Sequence, residues 1–316
     1  MHPSLPPLGA LPGVADVQLV EGPDASKTAL PSLLVEAPHG ATERADYERL
    51  RAQLASPLPE DLHEFFCVNT DVGSWEYGLA VARGFTQRAP RRSALVIRCR
   101  IPRTFVDVNR TLGLGGGELA AGQLTAAIPS YVSAAEDHAL LGALHRRYTE
   151  LVERAYAAVC GAGGYALVAH TYGPRSLGID RVDREIVEKL RWAHEPARVQ
   201  SWPTRAELDL LTRTPTENDQ PGTELAPPGL AEALVQRYAA RGLSAVVNDT
   251  YCLHPVTSAY EWSRRYPGRL LCMEVRRDLL VERWRWNQAM RPNPAAIERV
   301  ATPLAEAFAE LVRGRE

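Results

Sequence analysis

The feature that most restricts the fold of this chain is a series of short apolar runs with amphipathic segments between them. Strands that are apolar at every position occur in sheets covered on both faces, and intervening helices favour parallel pairing. The sequence therefore predicts an α/β protein, a three-layer α/β/α fold around a central mixed, mostly parallel sheet. The predicted strands are Ser32–Ala37, Ala94–Arg100, Gly164–His170, Leu243–Asn248 and Arg269–Arg276.

The amphipathic segments predict the helices that cover this sheet. Their apolar residues recur at helical spacing, and the first segment begins with Thr42, which is a typical N-cap residue. We expect the longest helix in the middle of the chain and another helix that closes the fold. The predicted helices are Thr42–Ala55, Val72–Arg88, Ser133–Cys160, Pro228–Arg241 and Asn293–Arg313.

Three segments lack a regular pattern. Residues 110–130 contain four glycines between positions 113 and 117, and residues 201–228 contain five prolines. Long loops inside compact domains are often functional, so we expect both to form pocket walls. Residues 1–30 are rich in proline and predict an irregular leader packed over the body. We expect one catalytic domain over residues 1–316.

Composition excludes several classes of protein. The net charge is −2 and no block of lysine or arginine marks a nucleic-acid face. No apolar run approaches the roughly 20 residues that span a bilayer, and the N-terminus lacks the pattern of a signal peptide. The cysteine count is odd, without a Cys-x-x-Cys pair, which favours free thiols in a reducing cytoplasm. The cysteines are Cys67, Cys99, Cys160, Cys252 and Cys272.

Four polar residues fall at or near the ends of predicted strands: His39, Arg110, His170 and Glu274. In sheets of this kind, ligands bind beyond the carboxyl ends of the strands. We therefore expect these side chains to lie near one another and to form a site for a small molecule.

Histidines and acids near strand ends predict a metal centre. His39 and Glu43 are four residues apart, and with His170 they would provide three ligands to Zn²⁺, leaving one position for water. The alternative is structural: a surface histidine, a glutamate that complements a helix dipole, and a core histidine bonded to a carbonyl.

The remaining strand-end residues suggest substrate binding and base catalysis. Arg110 offers a rigid fork for a carboxylate, and Asn109 beside it adds a directional donor. Alternatively, Arg110 is a structural residue paired with Asp107. Glu274 lies in an apolar strand and would act as a general base with a pKa set by burial. Its alternative is an ion pair with Arg276.

Taken together, these segments resemble the N-formylglutamate amidohydrolase family, a branch of the zinc carboxypeptidase-like hydrolases. The similarity spans residues 30–280, and its most specific parts are the Asp-Val-Asn-Arg tetrapeptide and the glutamate in a strand. The matching pieces are Pro38-His-Gly40, residues 102–110, His170, Asn248-Asp-Thr-Tyr251 and Met273-Glu-Val-Arg-Arg277.

The resemblance implies a role for each matching residue. Zinc would be bound by His39, Glu43 and His170, with Asp71 as a rival to Glu43. The substrate carboxylate would be held by Asn109 and Arg110. Catalysis would use Glu274 to activate the zinc-bound water and Arg103 to stabilise the oxyanion. The chain departs from the family pattern after His39, after His170 and after Tyr251, and these places are expected to shape the pocket through Thr171, Tyr251 and His254.

The sequence thus predicts a zinc-dependent amidohydrolase that cleaves an amide bond in an N-acyl amino acid or small peptide bearing a free carboxylate. Two alternatives stay open: a metallocarboxypeptidase acting on peptide C-termini, and a non-catalytic relative that only binds carboxylates. Partners other than this small substrate, such as nucleic acid or a membrane, are not expected.

Overall fold

A mixed sheet forms the centre of the molecule. The computed structural model describes residues 8–113, 125–216 and 220–314. Within these residues the sheet has seven strands in the order β1-β3-β2-β4-β7-β5-β6. The strands are β1 (Ala15–Glu21), β2 (Leu33–Ala37), β3 (Ser93–Cys99), β4 (Tyr165–Tyr172), β5 (Leu208–Leu211), β6 (Ala245–Val247) and β7 (Leu270–Arg276).

Parallel pairing dominates the middle of the sheet. Strands β3, β2, β4 and β7 are adjacent and parallel, and β5 pairs in parallel with β6. Antiparallel pairs join β1 to β3 and β5 to β7. The predicted mixed, mostly parallel α/β sheet is confirmed.

Helices cover both faces of the sheet. One layer contains α3, α7 and α9, while α4 and α8 contact the sheet from the other side, where α2 packs against α5. The helices are α1 (Arg44–Arg51), α2 (Leu62–Asn69), α3 (Ser74–Arg88), α4 (Ala135–Val159), α5 (Ile186–Ala193), α6 (Pro196–Val199), α7 (Leu230–Ala239), α8 (Ser258–Arg265) and α9 (Pro294–Arg313). None of these helices combines the length and apolarity needed to cross a bilayer.

The two helical layers explain why the central strands are apolar at every position. Successive side chains of a strand point to opposite faces, so each face must be apolar where a helix covers it. Leu34 packs into the core on the α4 side, and its neighbour Val35 packs into the core beneath α3. Both side chains are fully buried.

Two strands lie in segments predicted to be irregular. Residues 1–30 are not wholly an irregular leader, since β1 forms an edge of the sheet. Its polar Asp16 and Gln18 interrupt the apolar run, as suits a strand with little cover, and Leu19 is 45% exposed. Strand β5 lies within the proline-rich segment 201–228 and has only four residues, too few to show a pattern. Helix α1 is also shorter than predicted, and its N-cap is Glu43 rather than Thr42.

Candidate active site

Polar side chains gather beyond the carboxyl ends of the parallel strands. His39 follows β2, and residues 103–110 follow β3. His170 and Glu274 are direct neighbours across the parallel pair of β4 and β7. Fold and register therefore bring together the four strand-end regions that the sequence singled out.

Two histidines face one carboxylate. His39 Nδ1 lies 3.2 Å from Asp71 Oδ2, and His170 Nδ1 lies 3.0 Å from the same oxygen. The two imidazole rings have centroids 4.9 Å apart. All three residues are buried, and each offers a potential ligand atom within 4.8 Å of the others. Among the described residues this is the group of histidines and acids arranged to hold a metal ion.

The short loop between α2 and α3 positions Asp71. Its backbone N–H donates to the carbonyl of His39 at 3.2 Å, so the loop follows the end of β2. Gly73 has φ +94°, and a Cβ there would approach Leu280 to 2.9 Å. Burial alone would raise the pKa of Asp71, but the adjacent His39 and His170 hold it below its usual range. The carboxylate is therefore ionised and available to a cation.

Asp107 fixes the orientation of His39. Its Oδ1 lies 2.8 Å from His39 Nε2, and its Oδ2 accepts from Arg103 Nε at 2.9 Å. Burial would raise the pKa of Asp107, but Arg103 and His39 hold it well below the usual range. A carboxylate bonded to the outer nitrogen of a metal-binding histidine fixes the tautomer of the imidazole. Asp107 on Nε2 therefore leaves the lone pair of His39 Nδ1 available to bind a metal.

The donor set fits a zinc ion. Two imidazole nitrogens and a carboxylate oxygen are typical ligands of catalytic zinc, with the fourth position left for water. Here the two Nδ1 atoms converge on Asp71 Oδ2, and Asp107 supports the outer nitrogen of one ring.

The structure corrects the prediction for Glu43. Its carboxylate points toward the β1 edge of the sheet, where it accepts from Arg98 at 2.9 Å and from Arg100 at 3.4 Å. The side chain is 53% exposed. Spacing in the sequence allowed Glu43 to reach the histidines, but two arginines of the β3 region hold it elsewhere. Its rival Asp71 takes the position between the rings.

Asn109 and Arg110 lie next to this cluster. Asn109 Oδ1 accepts from Ser258 Oγ at 2.7 Å, and its Nδ2 lies 3.5 Å from His170 Nε2. Arg110 donates to the carbonyl of Asn109, while its buried Nε has no partner among the described residues. The structural alternative for Arg110 was an ion pair with Asp107. The Asp107 carboxylate instead bonds to His39 and Arg103.

Glu274 lacks the ion pair considered as its structural alternative. Arg276 donates instead to Asp278 at 2.9 Å. Glu274 lines the cavity, and its buried Oε2 has no partner among the described residues. Burial, opposed by the nearby His170, raises the pKa of Glu274 to about 7. A carboxyl group with this pKa can both take up and release a proton near neutral pH.

Thr171 is engaged within the protein. Its hydroxyl accepts from Arg277 Nε at 3.0 Å and donates to the carbonyl of Val72 at 3.3 Å. Thr171 therefore supports Arg277; it also lines the cavity, and its contact with a substrate stays a prediction. Arg277 is 2% exposed and also reaches Asp71 Oδ1 at 3.5 Å. Sequence reasoning missed this role, although Arg277 lies in the same Met-Glu-Val-Arg-Arg segment as Glu274.

A cavity of about 670 Å³ lies over the cluster. Tyr251 and His254, both predicted to shape the pocket, line it. Arg205 also lines it, with its guanidinium 5.2 Å from the Tyr172 ring and 5.6 Å from the Tyr251 ring. This arginine lies in the proline-rich segment, which carried no motif to mark it. The glycines Gly115–Gly117 lie outside the described residues.

A mixed α/β sheet with histidines, acids and arginines at its strand ends is an arrangement typical of α/β enzymes. The chain belongs to the N-formylglutamate amidohydrolase family, whose model matches residues 79–281. Membership makes it a hydrolase that acts on amide bonds. The matched segment contains Asn109, Arg110, His170 and Glu274, while His39 and Asp71 precede it.

Solved structures share this fold. An N-formylglutamate amidohydrolase from Ralstonia eutropha JMP134 is 19% identical with a TM-score of 0.54, covering 95% of this chain and 99% of its own. The gene product Atu2144 from Agrobacterium tumefaciens is 20% identical with a TM-score of 0.50, covering 98% of each chain. A comparison with proteins of curated function gives no significant match.

Proposed function

We propose that this protein is a zinc-dependent amidohydrolase that cleaves an amide bond in an N-acyl amino acid or small peptide with a free carboxylate. One observation carries the proposal. Beside the His39–Asp71–His170 cluster, two buried polar atoms of opposite character have no partner among the described residues: Glu274 Oε2 and Arg110 Nε. A buried polar atom without a hydrogen-bond partner costs free energy. We therefore infer that Glu274 Oε2 takes up a proton and that Arg110 Nε binds a ligand.

The residues divide the chemistry between them. Zinc held by His39, Asp71 and His170 would supply a water of lowered pKa and polarise the scissile carbonyl. Glu274 accepts a proton on its carboxylate and later delivers it to the leaving nitrogen, as its pKa near neutrality allows.

Two arginines serve the substrate. Arg110 receives the carboxylate in a low-dielectric site, where a charged hydrogen bond is strong, with Asn109 Nδ2 beside it. Arg103 lines the cavity, and its Nε is engaged with Asp107. Its terminal N–H groups have no hydrogen-bond partner among the described residues and are assigned to the developing oxyanion. We also propose a cytoplasmic location, which the five unpaired cysteines support.

A matched pair of acid-to-amide variants tests the metal site. Purified wild-type protein and the variants Asp71→Asn and Glu43→Gln are assayed for bound zinc by elemental analysis and for amine release from N-acyl amino acids. We expect Asp71→Asn to lose zinc and turnover, whereas Glu43→Gln keeps both.

Three results would contradict these assignments. An active wild-type enzyme free of metal excludes the zinc mechanism. Loss of zinc in Glu43→Gln, with retention in Asp71→Asn, returns the ligand role to Glu43. A protein that binds N-acyl amino acids tightly without releasing amine would be the non-catalytic relative instead.

A further inference from the structure

We propose that the acyl group of the substrate is apolar and larger than formyl, and that it lies against an apolar wall of the cavity formed by Phe65, Val68, Ile179 and Val182. This surface is called the acyl wall below. The inference rests on the proposed amidohydrolase function and specifies its substrate. All four side chains line the cavity.

The acyl wall is built from two segments that are held together. Phe65 and Val68 lie on α2, while Ile179 and Val182 lie in the segment that leads into α5. Helices α2 and α5 are joined by Arg191, which donates to Asp61 at 2.6 Å and to Glu64 at 2.9 Å. Arg184 fixes the same segment through the carbonyl of Pro57 at 2.7 Å.

The acyl wall adjoins the Asp71 side of the metal cluster. Asp71 follows α2 directly in the chain, and buried Arg277 connects the two. Its Nη1 donates to the carbonyl of Val68 at 2.8 Å, and its Nη2 reaches Asp71 Oδ1 at 3.5 Å. Arg277 also lines the cavity, but all three of its guanidinium nitrogens are engaged with Val68, Asp71 and Thr171.

The Arg110 side of the cluster is built from other elements. The Arg110 carbonyl accepts from His145 of α4 at 2.8 Å. Thr111 N–H donates to the carbonyl of Val256, and Asn109 accepts from Ser258 at the start of α8. The cluster therefore lies between the Asp107–Arg110 segment, which presents Arg110, and the acyl wall on α2 and the segment before α5.

This arrangement fixes the direction of the substrate. In an N-acyl amino acid the order of groups is carboxylate, α-carbon, amide nitrogen, carbonyl and acyl chain. If Arg110 holds the carboxylate and the amide lies at the cluster, the acyl chain continues toward the Asp71 side, where the acyl wall lies. A formyl group ends at the carbonyl and leaves this wall without contact, whereas each added methylene buries apolar surface. Arg181, between Ile179 and Val182 in the chain, is solvent-exposed and also lines the cavity beside the acyl wall.

A homologous series of substrates tests the proposal. Zinc-loaded enzyme is assayed with formyl, acetyl, butyryl and hexanoyl derivatives of one amino acid, and then with one acyl group on amino acids of increasing side-chain length. We expect kcat/KM to rise about fourfold per acyl methylene, following the free energy of burying one methylene. The rise should depend on the acyl chain and not on the amino-acid side chain.

A matched pair of variants locates the contact. Val182→Ser removes apolar surface from the acyl wall, and Val235→Ser makes the same change in partly buried α7 on the opposite side of the sheet. We expect Val182→Ser to lower kcat/KM for the hexanoyl substrate about tenfold and to leave the formyl substrate within twofold. Val235→Ser should leave kcat/KM unchanged for both the hexanoyl and the formyl substrate. Ile179→Ser serves as a second wall variant if the thermal melt shows that Val182→Ser is unfolded.

The outcomes separate this inference from the function on which it rests. Hydrolysis that is fastest for the formyl substrate, or independent of acyl length, overturns the acyl wall and leaves the amidohydrolase intact. The acyl wall is also overturned if its variants lose kcat/KM equally for the formyl and hexanoyl substrates. It is overturned as well if kcat/KM depends on the length of the amino-acid side chain and not on the acyl chain. Failure of zinc-loaded enzyme to release amine from any of the substrates overturns both proposals.

Discussion

Two glutamates on the same face of the sheet, Glu36 fully buried and Glu274 partly buried, show how differently one side chain can be used. Glu36 lies in β2 and Glu274 in β7, and each points to the side covered by α4 and α8. Each follows an apolar core residue of the same face by two positions, Glu36 after Leu34 and Glu274 after Cys272. In the sequence the two look alike, since each interrupts an apolar run near its end.

Their partners differ completely. Glu36 accepts from the hydroxyl of Tyr148 at 3.0 Å and from that of Tyr156 at 2.9 Å, one on each oxygen. Glu274 lines the cavity with its buried Oε2 unpaired among the described residues. A buried carboxyl group with both oxygens bonded stabilises the packing of a helix on a sheet. One left unpaired beside a cavity is free for chemistry, and this difference supports the role proposed for Glu274.

Replacement of Glu274 should cause the largest loss of activity. Glu274→Gln removes the proposed base while keeping its size, so we expect kcat/KM to fall by roughly 10²- to 10⁴-fold. Glu36→Gln is the matched control and should lower it by less than about tenfold, because the amide can still bond to both tyrosines. Steady-state kinetics and zinc content are measured on both. Full activity in Glu274→Gln, or an equal loss in Glu36→Gln, would show that the contrast carries no catalytic meaning.

The second prediction concerns the other unpaired atom beside the cavity, Arg110 Nε. Arg110→Gln removes the carboxylate-binding fork, and loss of a charged hydrogen bond in a buried site costs about 1.5–3 kcal/mol. We expect kcat/KM to fall roughly 10- to 100-fold for N-acyl amino acids. Neutral amide analogues of the same compounds should react slowly and equally with both enzymes. If the variant discriminates against the neutral analogue as strongly as wild type does, another residue binds the carboxylate.

The sequence predicted those parts of the fold and site that follow from local pattern. Central strands such as β2 and β4 are apolar at every position because helices cover both faces, so their bounds were correct within two residues. The polar residues at their ends met because parallel strands end at one edge of the sheet. Strands β1 and β5 escaped prediction because an edge position and a length of four residues leave no such pattern.

The position of Asp71 between the two histidines could not be read from spacing in the sequence. Glu43 lies near His39 in the chain, but its side chain is oriented by Arg98 at the end of β3 and by Arg100 just after it. Asp71 lies thirty-two residues beyond His39 and reaches it only because the loop after α2 returns to the end of β2. Contacts of this kind depend on tertiary packing and leave no local signal.

The third prediction tests whether Glu36 is a structural group. Tyr156→Phe removes one of the two hydroxyls that bond to Glu36 and leaves a buried acceptor unpaired, which costs about 1–3 kcal/mol. We expect that loss in the free energy of unfolding from denaturant titration, with kcat/KM changed less than about threefold. Tyr260→Phe is the control, because the Tyr260 hydroxyl makes no hydrogen bond within the described residues, and it should stay within about 0.5 kcal/mol of wild type. A catalytic loss larger than the loss of stability would mean that Glu36 acts on the site.

The fourth prediction is the smallest and concerns pH. Burial raises the pKa of Glu36 above its ordinary value of 4.5, against the opposing hydrogen bonds from Tyr156 and Tyr148. Because the folded state binds this proton more tightly than the unfolded state, the contribution to stability is fully present below pH 4.5 and is lost as pH rises through the folded-state pKa. Glu274 has a pKa shift of the same sign, so the measurement is made in the Glu274→Gln background.

In this background, the difference in unfolding free energy between the protein with Glu36 and the Glu36→Gln variant should decline with rising pH. A difference that instead grows with pH would show that the tyrosine bonds outweigh burial and that Glu36 is ionised in the folded protein.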